Sequence, residues 1–330
     1  MTAGKFDWPF TRQFIGTAPF IYMIGQQARW TLGLPLTLAG YAGLIWAGWT
    51  LRANPDKAAA TAFLAAVTLL VVTGTQFAKF PRYTLPLTPL LATFGAGMLS
   101  GVPFKKLRYR RLSILFAWLA VVVPTTLYAI AFVRMYDQEH PWVAASEWIY
   151  DTLPFHSTIV VERWDDPLPL DLSTSGGFIR DKLYDTALVD PFAEPDDQEK
   201  LDSLLREIAS ADTIILSSNR LYGTIPRLSD KYPLTSQYYQ ALFGGELGYE
   251  LEATFSREPN LFGVSLYDDP FSRPGLPNPL THGPDIGRLP GPADESFTVY
   301  DHPRVLIFQN VARLPADEMR AIVLATRATP

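Results

Sequence analysis

The sequence predicts an α-helical transmembrane bundle of four spans followed by a small extracytoplasmic α/β domain. Three observations predict it. The first 133 residues hold four uncharged apolar stretches of bilayer-spanning length. The charge divides sharply along the chain. After residue 134 the pattern changes to short buried strands alternating with amphipathic helices. The boundaries that follow are 1–33 for an extracytoplasmic loop or interfacial segment, 34–133 for the four spans, and 134–330 for the α/β domain.

The 330 residues carry a net charge of -5, which conceals the division. Residues 1–133 have 12 lysines and arginines against two acids, Asp7 and Asp56, a charge of +10. Residues 134–330 have 16 against 31, a charge of -15. Two halves this different are not expected to share one solvent. A charged fraction of 18% with a mean hydropathy of +0.07 excludes a disordered polyanion. The absence of cysteine excludes disulfide scaffolds, thiolate metal sites and cysteine nucleophiles. Four histidines without paired spacing (His140, His156, His282, His302) give no zinc signature.

The spans are expected at about Leu34–Leu51, Ala58–Ala78, Tyr83–Phe104 and Leu112–Val133. No acid or base lies in the interior of any of them, as a hydrocarbon solvent requires. Pro86, Pro89 and Pro124 are expected to kink the third and fourth. The loop between those two holds Lys105, Lys106, Arg108, Arg110 and Arg111, and five cations in one short loop place it in the cytoplasm. The link at Lys79–Arg82 and everything after Arg134 then fall outside.

In the second half, Trp142–Thr152 has helical spacing, and Thr158–Glu162 and Thr213–Ser218 read as buried strands. Asp196–Ser210 reads as an amphipathic helix with an acidic first turn, and Pro233–Phe243 as another helix. Tyr249–Phe255 alternates like a strand. Phe297–Tyr300 and Arg304–Gln309 are expected to flank a hairpin or bulged turn at Asp301-His302-Pro303. The Pro- and Gly-rich stretch Phe271–Pro292 reads as an extended loop. Together these suggest a small, mainly parallel sheet with helices on its faces.

Two clusters carry candidate chemistry. Lys79-Phe80-Pro81-Arg82-Tyr83-Thr84-Leu85-Pro86 stands at the outer membrane boundary, where two cations oppose the positive-inside bias. A phosphate at headgroup level compensates them, since arginine grips phosphate bidentately and lysine acts as a point charge. Ordinary snorkelling of interfacial basic residues accounts for them equally well. Asp165-Asp166, after the first strand of the outer domain, could bind a divalent cation or a sugar hydroxyl, although solvated turn acids are commoner. Asp268-Asp269 has the same ambiguity. The aromatic run Tyr232, Tyr238, Tyr239, Phe243 could stack on a sugar, with core packing the more frequent reason for such a run.

The pattern K-x-x-R-Y-x-L-P-x-x-P-L-L from Lys79 resembles the GT-C superfamily of integral-membrane glycosyltransferases. It is most similar to bacterial members of the dolichyl-phosphate-mannose:protein mannosyltransferase and aminoarabinose transferase group. Trp8-Pro9-Phe10, Gly16-Thr17-Ala18-Pro19-Phe20, Trp30–Pro35, Ala144–Leu153, Trp164–Pro169 and Glu295–Pro303 agree in order. The resemblance covers essentially the whole chain, and only the later portion of such a protein. It implies a polyprenyl-phosphate-linked sugar donor, transfer on the extracytoplasmic side, and contact of Lys79, Arg82 and Tyr83 with the lipid phosphate.

It also implies a gap. Members of the family carry their catalytic carboxylate in the first outer loop, and Asp7 is not equated with it. The chain is therefore expected to be catalytically incomplete by itself: a split-gene product, a truncated gene model, or a subunit whose partner chain supplies the N-terminal half. A different class of reading makes it a non-catalytic, membrane-anchored binding or assembly module. Neither reading involves nucleic acid.

Overall fold

The computed structural model describes residues 8–101, 110–172, 183–269 and 293–326. Asp7, the expected cytoplasmic-loop cations Lys105, Lys106 and Arg108, and the whole of the expected loop 271–292 lie outside them. The chain divides into two compact units, Met1–Arg134 with Pro259–Leu266, and Met135–Glu258 with Tyr267–Pro330.

The first unit is helical. A 3-10 turn, Pro9–Phe14, precedes α1 (Ile21–Gln26), which runs into a π-helical turn at Gln27–Thr31. Gly33, at φ +75°, turns the chain into α2 (Leu34–Ala53). Asp56 caps α3 (Lys57–Thr75) by accepting from the Ala59 amide at 2.7 Å. The third expected span does not begin as one continuous helix. Its first residues form a 3-10 turn (Pro81–Leu87), and the α-helix proper, α4, runs over Thr88–Gly101. Pro86 and Pro89 lack the amide hydrogens that would extend the α-helix backwards. α5 (Arg110–Val133) continues through Pro124 without interruption. By length and composition α2, α3 and α5 are apolar enough to cross a membrane, with mean hydropathies of 1.2, 1.9 and 2.1. The 14 described residues of α4 fall short of the roughly 20 that a span needs.

α2 and α4 approach backbone to backbone. A Cβ on Gly43 would lie 2.3 Å from the Phe94 carbonyl carbon and oxygen, and one on Gly40 would lie 2.9 Å from the Leu91 Cβ. Leu44, Ala47, Leu87, Leu91 and Phe94 fill the seam around this contact. A short hairpin, β5 (Asn260–Leu261) with β6 (Val264–Ser265), also belongs to this unit.

The second unit is a five-stranded mixed sheet with helices on both faces. In chain order it holds α6 (Pro141–Thr152), β1 (Thr158–Glu162), β2 (Asp185–Val189), α7 (Gln198–Ser210), β3 (Thr213–Leu216) and α8 (Pro233–Phe243). After α8 come β4 (Tyr249–Phe255), α9 (Glu295–Thr298), β7 (Val305–Asn310) and α10 (Ala316–Ala325). The strand order is β2-β1-β3-β7-β4. β2, β1 and β3 are parallel, whereas β7 pairs antiparallel with both β3 and β4. The expectation of a mainly parallel sheet therefore holds for three strands and fails for two. Of the expected hairpin or bulged turn at Asp301 only the turn forms, because Phe297 and Thr298 end the short helix α9, capped by Asp294, rather than a strand.

Strand alternation separates two cores. Val160, Ile214, Leu216, Leu306 and Phe308 point to the face covered by α7, α8 and α10. Ile159, Val161, Ile215, Val305 and Ile307 point to the face covered by α6. Tyr238 and Tyr239 are fully buried in the first core, so the aromatic run on α8 is packing rather than a sugar platform.

Substituting Gly43 with Ala forces α2 and α4 apart, at an expected cost of about 1–3 kcal/mol. Gly97→Ala, whose added Cβ meets only Trp46 at 3.8 Å, is the control and is expected to leave stability unchanged. Thermal melts of the purified chain distinguish the two.

Candidate functional site

In the first unit, Lys79 sits in the segment between α3 and the 3-10 turn at Pro81. Its side chain folds inward, leaving the residue 5% exposed. Nζ donates to Thr17 Oγ1 and to the Phe77 carbonyl, both at 3.1 Å. Phe14, Ala78 and Phe80 form a small apolar cluster beside it, with Phe10, Tyr22 and Phe77 packed around them. Arg82 is exposed, with its guanidinium 4.5 Å from the centre of the Phe80 ring and 5.8 Å from that of Tyr83. Phe80 is edge-on to both Phe14 and Tyr83. The sequence cluster thus becomes a set of two cations steadied by aromatic rings, with Tyr83 one of those rings.

Among the described residues neither cation has a carboxylate partner, and Asp56 at the α3 N-terminus is the only described acid of this unit. Both partners of Lys79 are neutral oxygens, which leave its positive charge uncompensated. A buried ammonium without a counter-charge is costly unless an anion completes it.

The second cluster lies at the carboxyl ends of β1 and β3. β1 leads on to β2 on one side and β3 leads away on the other, so the chain diverges between two adjacent parallel strands. Open α/β sheets bind ligands at such points. Trp164 turns the backbone with φ +87° and donates Nε1–H to Asp190 at 2.9 Å, which sends Asp165 back over the end of β3. There Asp165 accepts from the Ser218 hydroxyl and from Arg220 Nε at 2.9 Å. Arg220 Nη1 lies 3.2 Å from Glu295 Oε1 at the start of α9, and Nη2 donates to the Tyr300 hydroxyl at 3.4 Å. Trp142 Nε1 closes the set by donating to the Ser217 carbonyl at 2.8 Å.

Burial opposes the charge on Arg220, but Glu295, Asp165 and Tyr300 overcome it and push its pKa up. Burial raises Glu295 to about 8, against the pull of Arg220. Burial likewise raises Asp165, offset by Arg220 and Ser218. Glu162, the last residue of β1, accepts from the Tyr239 hydroxyl and is raised to about 8 by complete burial.

Asp165 and Asp166 are not brought together. Asp165 is held in the internal ion pair with Arg220, while Asp166 is exposed to solvent. Asp268 is paired with His302 inside the unit. Among the described residues no group of three or more histidines, aspartates and glutamates could hold a metal ion. Sequence reasoning missed Glu162, Arg220 and Glu295. The signals were a glutamate ending the otherwise apolar TIVVE, and Ser-Ser-Asn-Arg directly after the buried TIIL.

No protein-family model, curated protein or solved structure matches the chain.

Glu162 supplies a pH test. Its pKa is about 4.5 in an unfolded chain and about 8 when folded, so the folded state holds its proton more tightly. The folded state is favoured at low pH, and stability falls as pH rises from about 5 towards 8. Glu162→Gln keeps an acceptor for Tyr239 and removes the titration. Its melting temperature is expected to fall less than that of the wild type between pH 5 and pH 8.

Proposed function

We propose that this chain is the C-terminal part of a polyprenyl-phosphate-sugar-dependent membrane glycosyltransferase. In this reading its apolar helices cross the bilayer, the Lys105–Arg111 loop is cytoplasmic, and the acidic α/β unit lies outside. The observation that carries the proposal is the pair Lys79 and Arg82, two steadied cations with no described carboxylate to neutralise them. A phosphate monoester or diester has the charge that both lack. Arg82 can grip it through two parallel N–H bonds while Lys79 contributes a point charge.

In transfer, the bond between the sugar and the lipid phosphate breaks and negative charge develops on the departing phosphate. Cations fixed in position before the reaction stabilise that charge without rearrangement. Deprotonating an acceptor hydroxyl requires a base, and the proposal assigns that carboxylate to the partner segment bearing the N-terminal half. The competing reading, a membrane-anchored binding module, gives Lys79 and Arg82 no role beyond snorkelling.

The test is binding of a short-chain polyprenyl phosphate to the full chain in nanodiscs. Lys79→Met with Arg82→Ala removes two charge-assisted contacts and is expected to weaken binding at least about tenfold. A neutral polyprenol is expected to bind wild type and variant alike. Equal binding of the phosphate to both proteins would remove the basis for the proposal.

A further inference from the structure

The second unit also contains a recess that shares only Tyr300 with the Arg220 cluster. It has a volume of about 260 Å³, and its lining includes Tyr136, Glu139, His140, Arg257, Tyr300 and Asp301. Its size lies just under the roughly 300–1,000 Å³ of sites for drug-sized ligands, which suits a single monosaccharide ring.

The two tyrosines set its chemistry. Tyr136 is 57% exposed and Tyr300 61%, in a unit whose tyrosines on α8 are entirely buried. Each is fixed at its hydroxyl end. Tyr136 is hydrogen-bonded to the Asp301 carboxylate, and Tyr300 accepts from Arg220. Both tyrosines line the recess, and the bond at each hydroxyl restrains its ring. His140 fixes the wall further. Its Nδ1 accepts from the Trp142 amide at 3.2 Å, which leaves Nε2 to donate to the Tyr300 carbonyl at 3.3 Å. Arg257 is held by the Glu139 carbonyl at 3.1 Å and the Ser256 carbonyl at 2.8 Å.

We infer that this recess binds one pyranose ring of a neutral saccharide, with Tyr136 and Tyr300 as stacking faces and Glu139, Asp301 and Arg257 as partners for its hydroxyls. A sugar ring has apolar C–H faces and a rim of hydroxyls that both donate and accept. A lining that combines aromatic rings with carboxylates and a guanidinium matches both aspects. An anion meets the carboxylates of Glu139 and Asp301, and a cation meets Arg257, so neither charge is favoured. The rigidity of the lining reduces the ordering cost that makes weak sugar binding difficult. Assigning the ring to the acceptor, rather than to the donor sugar, rests on the glycosyltransferase reading; the binding itself does not.

The experiment is saturation-transfer NMR on the full chain in nanodiscs, with methyl glucoside, methyl galactoside and methyl mannoside as probes and choline as a cationic control. At least one glycoside is expected to bind, and Tyr136→Ala and Tyr300→Ala each to weaken it about tenfold or more. Tyr300→Phe keeps the ring and is expected to retain binding, which separates stacking from loss of the Arg220 contact. A melting curve for each variant confirms folding. A wild-type chain that binds no glycoside, binds choline alone, or is insensitive to both alanine substitutions overturns the inference.

The Lys79→Met, Arg82→Ala chain is the second arm. It is expected to bind glycosides normally while losing polyprenyl phosphate, so failure of the lipid-phosphate reading is distinguishable from failure of this one. Competition of a polyprenyl-phosphate hexose against the free glycoside identifies the source of the ring. Displacement that depends on Tyr300 marks the donor sugar and overturns the acceptor assignment, and lack of displacement supports it.

Discussion

The guanidinium of Arg220 is the interaction on which the second unit depends. It joins the loop after β1 through Asp165, the loop after β3 through its own backbone, and the α9 segment through Glu295 and Tyr300. Without a buried cation, two carboxylates meet beside a sheet end with nothing to balance them, and like charges at that depth repel strongly. The pairing also fixes where Tyr300 stands, and through it one wall of the recess. Replacing a single partner in such a network leaves an uncompensated buried charge, which is far more disruptive than replacing the whole set by apolar groups.

Much of the architecture was legible in the sequence because its period and hydropathy are strong. Thr158–Glu162, Pro233–Phe243 and Tyr249–Phe255 form as the patterns of burial and alternation indicate. The start of α2 at Leu34 follows from the glycine–proline punctuation around it. What escaped has physical reasons. β2 reads DTALV, with only its final residue buried, and an edge strand of that kind carries little hydrophobic signal. α10 is short, and of its apolar residues only Met319 and Val323 are buried, so they mark no clear core-facing stripe. Phe297–Tyr300 has strand-like residues, but Asp294 caps a helical turn there and tertiary contacts override propensity.

The candidate sites were legible to different degrees. Lys79 and Arg82 were visible because a cation at the outer end of an apolar stretch is conspicuous against its surroundings. Their relation to Thr17 was not, because 62 residues separate the partners. The Asp165–Arg220 pair was half visible. The acids stood out, whereas an arginine following a strand does not announce which carboxylate it will meet 55 positions away.

The bond from Lys79 to Thr17 also ties together parts of the first unit that are distant in sequence. Thr17 lies ahead of α1, and the Phe14 ring packs on Phe80 from the same early segment. Closing a loop of this length is entropically costly until the helices between have already drawn its ends together. The position of the ammonium thus depends on the strap of chain preceding the first helix being seated on the α3–α4 link. In the proposed reading, an anion on Lys79 would also act as a fastener for that strap, joining the earliest described residues of the chain to the α3–α4 link.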